Sequence, residues 1–274
     1  MVAEKKVAFI TGAARGQGRA HAVKLASKGM NIIGMDICAD IPSMDYPNAT
    51  EDDLLTTVKQ VEAAGGDIVA AKGDVRSFDD LRRVLRLGLD RFGRVDVLLA
   101  NAGIIRLSPD GDRDQVWTDI IDVNLTGVWR TIEVVLPAIQ AGGRGGSVVI
   151  TSSTAGIKGF ASGKAGAQAY TAAKRGLVGL MQVLANEYAS EKIRVNTIHP
   201  TGVVSGMTQN PAMAKLMAQA AAGGQTSISQ MVNALPIDIL QPENIADAVA
   251  WLVSDEAAYI TGIQLPLDAG LTVR

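Results

Sequence analysis

The sequence of 274 residues holds one cysteine, Cys38, and two histidines, His21 and His199. A single thiol excludes an intrachain disulfide and fits a reducing compartment, so a cytoplasmic protein is expected. Without an activating histidine nearby in sequence, Cys38 reads as a packed or loop thiol rather than a nucleophile. The two histidines lie far apart with no partnered acid or cysteine motif; they read as satisfied structural side chains, and no metal is expected. Charge of one sign is also lacking: 26 Lys+Arg stand against 28 Asp+Glu, a formal charge of -2, with no basic block. Nucleic acid is therefore not an expected partner. No run reaches the roughly 20 apolar residues of a membrane span. The opening "MVAEKKVAFITG" enters a strand without a signal peptide's apolar region. Internal repeats and low-complexity tracts are missing as well.

Apolar residues, by contrast, make up 47% of the chain, enough for one substantial core. Short β-rich runs recur: "KVAFI", "NIIGMD", "DIVAAKGD", "VDVLLAN", "GSVVITSS", "IRVNTIHP" and "IQLPLD". Stretches of helical spacing separate them, including one long segment around "VWTDIIDVNLTGVWRTIEVVLPAIQ". Strands that read as nearly continuous apolar runs suit parallel strands covered on both sides. The expectation is one α/β domain over residues 1–274, a Rossmann fold whose doubly wound seven-stranded parallel sheet carries helices on both faces. Punctuation agrees: Gly29, Gly65, Gly66 and Gly93 follow helix ends, and Thr50 with Asp53 makes a capping-box start.

In "TGAARGQG" Gly12, Gly16 and Gly18 stand at the turn from the first strand into the first helix, with Arg15 and Gln17 among them. Bare backbone there lets a pyrophosphate approach the helix N-terminus, where free N–H groups and the dipole attract it; a plain tight turn is the competing reading. Asp36 ends the second strand eighteen residues after Gly18. A carboxylate at that place accepts from the adenosine ribose hydroxyls and repels a 2'-phosphate, so NAD is the expected cofactor. Arg15 leaves NADP as the alternative, although Ile37 supplies no second cation. From Cys38 the chain enters an irregular stretch, "CADIPSMDYPNAT", before the next helix.

Tyr170 and Lys174 are four apart on a helix and share a face, as they would on any amphipathic helix. A tyrosine of pKa about 10 serves as a base at neutral pH only if lowered by about three, which takes roughly 4 kcal/mol of phenolate stabilisation. A neighbouring ammonium and a positive nicotinamide in a water-poor site supply it.

Together, "TGAARGQG", "NAG" at 101–103, Asn124, "SS" at 152–153 and "YTAAK" at 170–174 resemble the short-chain dehydrogenase/reductase family, in order and over almost the whole chain. The resemblance implies that Asp74 and Val75 end strand three against the adenine and that Asn101, Ala102 and Gly103 line the cofactor. It further implies that Pro200, Thr201, Gly202 and Val203 of "HPTGVVS" form the cofactor-side turn. Ala100 stands where the family commonly has Asn, and Ser205 where a Thr is usual. It implies an oxidoreductase in which Tyr170 takes the substrate hydroxyl proton as hydride passes to the nicotinamide, Ser153 bonds the substrate oxygen, and Asn124 holds a water of the proton relay. Read without the family, Asn124 is a helix-interior polar residue bonded locally. Ser153 precedes Tyr170 by seventeen residues, more than the family's usual gap, because "GFASGKAGAQ" lengthens the loop. Ser152, on the other face of the strand, and Ser162 are its competitors.

Asp36-Ile37-Cys38 with the proline-bearing loop, "GQGRAHA" and "YITGIQLPLDAG" resemble the mycofactocin-associated branch of that family, typified by carveol dehydrogenases. The resemblance implies that residues 38–50 form a lid over the cofactor, that NAD does not exchange, and that bound NADH is reoxidised in place by another redox carrier. A homotetramer is implied by the wider family. Residues 203–235 read as a substrate cover, in which Met207, Met213, Met217 and Met231 offer flexible apolar surface and Lys215 is the only charge. An apolar secondary alcohol or ketone of terpenoid type is the expected substrate, and Gly223 and Gly224 would let the cover move. Two other functions stay open: an NADP-linked 3-oxoacyl reductase, and a non-catalytic dinucleotide-binding regulator on the same fold. The acids of "EDD" at 51–53 and "DGDRD" at 110–114 read as helix starts or solvated groups.

Overall fold

Period-two alternation sorts the strand side chains into two cores. In β1 (Val7–Thr11), Val7 and Phe9 enter one apolar cluster while Ala8 and Ile10 enter the other. In β2 (Asn31–Asp36), Ile33 and Met35 oppose Ile32 in the same way. With β3 (Ile68–Lys72), β4 (Val97–Ala100), β5 (Gly146–Thr151), β6 (Ile193–Pro200) and β7 (Gln264–Leu267) they form one sheet ordered β3-β2-β1-β4-β5-β6-β7. Every neighbouring pair is parallel. The coordinates are a computed structural model that describes residues 4–108, 111–160, 162–224, 226 and 228–274. Asp110 of the acidic stretch, Ala161 of the lengthened loop, and Gln225 and Ser227 of the substrate cover lie outside the described residues.

Helices α1 (Gly16–Ser27), α2 (Glu51–Ala63) and α8 (Pro242–Leu252) close one core with Leu25, Val61 and Val249. On the other face α3 (Phe78–Phe92), α4 (Arg113–Ile121), α5 (Gly127–Ala141) and α6 (Ala165–Glu187) contribute Leu81, Ile120, Ile132 and Leu177. Each such fully buried side chain stabilises the fold by about 1.5–3 kcal/mol. Helix α7 (Pro211–Ala221) lies within residues 203–235, the segment read from the sequence as a substrate cover. The punctuation read from the sequence holds: Thr50 and Asp53 exchange both capping-box bonds, and Gly29, Gly65 and Gly93 take left-handed conformations beyond helix ends. Asp112 caps α4, and Glu51, Asp52 and Asp53 sit in the first turn of α2. The segment read as one long helix is divided by a π-helical turn at Asp122–Thr126, a wide turn whose extra residue rotates Asn124 inward. Among the described residues no helix is long and apolar enough to cross a membrane. Because the chain reverses direction across the sheet between β1 and β4, a crevice opens at their carboxyl ends.

Candidate active site

The glycine turn after β1 borders that crevice. Gly12 is left-handed at φ 67, and a Cβ on Gly18 would stand 1.9 Å from the Gly12 carbonyl oxygen. Arg15, at the N-cap of α1, makes no side-chain cap, and the Gln17 Oε1 atom is buried without a hydrogen-bond partner. Uncapped N–H groups and an orphaned polar atom suit a pyrophosphate, while the bare Gly18 lets the turn close on the Gly12 carbonyl. Gly18→Ala is expected to lower stability by about 3 kcal/mol or more, since backbone cannot yield as a side chain would, and to abolish dinucleotide retention. Thermal unfolding and analysis of copurifying nucleotide measure both.

Asp36, 8% exposed, accepts from Ala14 N–H at 3.0 Å and Cys38 N–H at 3.2 Å. Burial raises its pKa, and the two backbone N–H groups oppose that rise. Cys38 does not line the cavity; it enters the site through its N–H alone, in a left-handed conformation (φ 45). Its thiol is pushed up to about 12, chiefly by burial and then by the Asp36 charge, which agrees with a packed thiol. The Arg15 guanidinium donates to the Pro47 carbonyl at 2.7 Å and lies against Gly206.

At the other end of the crevice, Lys174 is buried and donates to the Thr151 carbonyl at 2.7 Å, while Ser152 donates to the Lys174 carbonyl at 2.9 Å. These reciprocal bonds clamp α6 to the end of β5. Ser152 also lines the cavity but has its hydroxyl committed to the Lys174 carbonyl, and Ser162 has a buried hydroxyl with no partner. Ser153 hydrogen-bonds Tyr170, so the lengthened loop leaves that pair together. The Lys174 Nζ atom stands 5.5 Å from the Tyr170 ring centroid. Burial pushes the phenol upward, outweighing the Ser153 bond, and lowers Lys174 to about 7. The protein's own groups therefore move the phenol opposite to the direction a neutral-pH base needs.

Asn124 is not bonded locally. Its Oδ1 accepts from Ile104 N–H at 2.8 Å and its Nδ2 donates to the Ile104 carbonyl at 2.7 Å, so it braces the loop after β4. A Cβ on Gly103 would lie 2.9 Å from Asn124 Oδ1 and 3.4 Å from Lys174 Nζ, which places both polar groups behind that glycine. Asn101 ties the strand ends together by donating to the Thr11 carbonyl at 3.1 Å. The Asp74 carboxylate is paired with Arg76 at 2.6 Å. One cavity of about 420 Å³ gathers these features; every residue read as cofactor-binding lines it except Cys38, and Asn124 stands just behind its wall. Met207, Met213, Met217 and Met231 line the same cavity.

Residues 38–50 span the crevice. They leave β2, yet Arg106 donates to the Ser43 carbonyl at 2.7 Å, Ser108 N–H to Asp45 at 3.2 Å, and Ile105 N–H to the Tyr46 hydroxyl at 3.2 Å, all beyond β4. Ser43 also bonds Asp119 of α4. Since β1 lies between β2 and β4, the segment bridges the end of β1 that carries the glycine turn. Its Ile41, Met44 and Tyr46 are buried, and Tyr46, Asn48 and Ala49 line the cavity. Burial pushes the Tyr46 hydroxyl up to about 12. Tyr46, Arg106 and Asp119 were not legible as site residues, because their partners lie 59, 63 and 76 residues away. Of the histidines, His199 is bonded at both ring nitrogens, whereas His21 is not satisfied: its Nδ1 has no partner, and burial lowers it to about 4.

A doubly wound parallel sheet with a glycine turn at the switch point, and a Ser, Tyr and Lys gathered on the same cavity, defines a nucleotide-binding α/β architecture. Residues 6–216 match the short chain dehydrogenase family, and the chain belongs to it. It is 51% identical to an uncharacterized oxidoreductase of Mycobacterium tuberculosis over 97% of this chain and 96% of that one. It is 43% identical to the (-)-trans-carveol dehydrogenase of Rhodococcus erythropolis over 99% of each. The crystal structure of carveol dehydrogenase from Mycobacterium avium in complex with NAD superposes with a TM-score of 0.90 at 42% identity, covering 99% of both chains.

Proposed function

We propose that the protein transfers hydride between an apolar secondary alcohol or ketone, terpenoid-like, and an NAD that it holds tightly. The observation that carries this reading is the opening of Ser153, Tyr170 and Lys174 onto the same cavity as the glycine turn and Asp36. The names of the R. erythropolis and M. avium relatives support both the substrate class and the cofactor. Gly12, Gly16 and Gly18 would hold the pyrophosphate, Asp36 the adenosine ribose, Asp74 and Val75 the adenine edge, and Asn101 to Gly103 with Pro200 to Val203 the rest. When bound, the nicotinamide supplies the hydride acceptor or donor. The buried Asp36 carboxylate supports NAD over NADP, and Arg15 has one of its donors engaged by the Pro47 carbonyl.

In this mechanism Ser153 donates a hydrogen bond to the substrate oxygen, and Tyr170 removes its proton in oxidation or returns it in reduction. Burial disfavours the phenolate and the ammonium alike, so each charged form depends on the other in a low dielectric. The Lys174 charge lowers the phenol when both are ionised. Asn124 anchors the relay that carries the proton outward. The methionine wall accepts apolar substrates of varied shape.

Residues 38–50 act as the lid that retains the cofactor, and bound NADH is reoxidised in place by a redox carrier, mycofactocin. The same reading makes the protein a cytoplasmic homotetramer, whose assembly would cover the exposed Trp117 and Trp129 of α4 and α5. Denaturing the purified protein and identifying the released dinucleotide tests retention. Alcohol turnover with an artificial electron acceptor, and not with free NAD, is the expected result; ready exchange with free NAD would contradict the lid. The Asn48 N–H donates to Asp40 at 2.8 Å, so the ends of the lid lie side by side and residues 41–47 can be replaced by two glycines. That variant is expected to lose its dinucleotide on dialysis and to become dependent on added NAD. Undiminished retention would remove the lid assignment.

A further inference from the structure

His199 is fully buried, next to last in β6, and no step of the mechanism uses it. Its Nδ1 lies 2.8 Å from the Ser153 carbonyl oxygen, and its Nε2 lies 2.9 Å from Thr197 Oγ1. We propose that His199 is a positioning residue, whose Nδ1–H holds the Ser153 carbonyl and so sets where the Ser153 hydroxyl meets Tyr170. The proposal rests on the Ser153–Tyr170 reading given above.

Three features make the imidazole the element that fixes Ser153 relative to β6. The ladder between β5 and β6 runs out at that point: Ser152 N–H still donates to the Ile198 carbonyl at 2.9 Å, but Pro200 has no N–H with which to continue. Beyond that bond the imidazole supplies the link from β6 to Ser153. The Ser153 carbonyl also accepts from Gly156 N–H at 2.8 Å, a bond that closes the local turn, whereas the imidazole ties that turn to β6. The Ser153 hydroxyl meanwhile accepts from Ala155 N–H at 3.2 Å and bonds Tyr170. With the carbonyl held from one side and the hydroxyl from the other, the side chain has one orientation, which is how a supporting shell keeps a reacting geometry.

The tautomer follows from the partners. A carbonyl oxygen only accepts, so Nδ1 carries the proton and Nε2 accepts from the Thr197 hydroxyl. Burial lowers the pKa of His199 and keeps the ring neutral, so the arrangement persists at neutral pH.

Two histidines make the test tractable, since protein labelled with ¹⁵N-histidine shows two rings and His199→Asn assigns them by loss of one. The Nδ1–H tautomer is expected for His199; an Nε2–H tautomer overturns the proposal whatever the turnover shows. His199→Asn puts an amide N–H where Nδ1 stood, whereas His199→Gln puts one where Nε2 stood. With (-)-trans-carveol and an artificial electron acceptor, kcat of the Asn variant is expected within about threefold of wild type, and kcat of the Gln and Leu variants about tenfold or more lower, with KM nearly unchanged. Rescue by Gln instead of Asn, or equal kcat in all three, overturns it. Activity surviving in Tyr170→Phe would instead count against the parent reading while leaving the tautomer result standing.

Discussion

Tyr170→Phe is expected to lower alcohol turnover about a hundred- to ten-thousandfold while the protein stays folded and retains its dinucleotide. The substitution removes one oxygen from a half-buried ring and keeps the ring itself packed against the α6 core. What is lost is the group proposed to exchange the substrate proton and the partner of the Ser153 hydroxyl. Steady-state turnover with an artificial electron acceptor, beside circular dichroism and nucleotide content, separates lost chemistry from lost structure. Equal turnover in the variant removes the assignment of Tyr170 as acid and base, and the regulator reading would then gain ground.

Lys174→Met is expected to abolish turnover and, at neutral pH, to relieve the fold of an ionic strain. Burial lowers Lys174 from 10.5 to about 7, with no other cause opposing it. The unfolded chain therefore binds this proton up to about pH 10.5, and the folded chain only up to about 7. Between those limits the unfolded state carries more protons, so wild-type stability rises with pH relative to the variant. The full difference corresponds to roughly 5 kcal/mol. Below pH 7 the burden on the wild type is complete; by pH 10.5 it has gone. The bond from Lys174 to the Thr151 carbonyl offsets part of it, since the variant leaves that acceptor buried without its donor. Urea unfolding of both proteins across this range measures the change in their difference, and a pH-independent difference would show that the ammonium is not destabilised by its surroundings. A residue that weakens the fold and serves the site is the expected signature of function at that position.

How legible the site was depended on the range of the interaction. Alternation along β1 and β2, the Thr50–Asp53 capping box and the left-handed glycines after helices are all decided within a few residues, and the sequence carries them openly. The Tyr170–Lys174 pair shares a face because four residues make about one helical turn. The segment at residues 38–50 was legible as an interruption after Asp36, but its moorings at Ile105, Arg106, Ser108 and Asp119 were not. Nothing in Tyr46 or Asp119 marks it for the other side of the crevice. Asn124 shows the same limit, since a local bond was the plain reading and a π-helical turn instead directed it to Ile104.

By itself, then, the sequence determined the order of strands and helices, the glycine turn, and which side chains are available for acid–base chemistry. These rest on short-range sterics, periodic burial and the intrinsic chemistry of each residue. Only the tertiary structure decided that the segment after β2 crosses the glycine turn, that His199 reaches Ser153, and that burial drives Tyr170 and Lys174 both toward neutrality. The reason is that sheet order brings distant residues together and sets how much water each group keeps, and neither the neighbour nor the local dielectric is written in the residue itself.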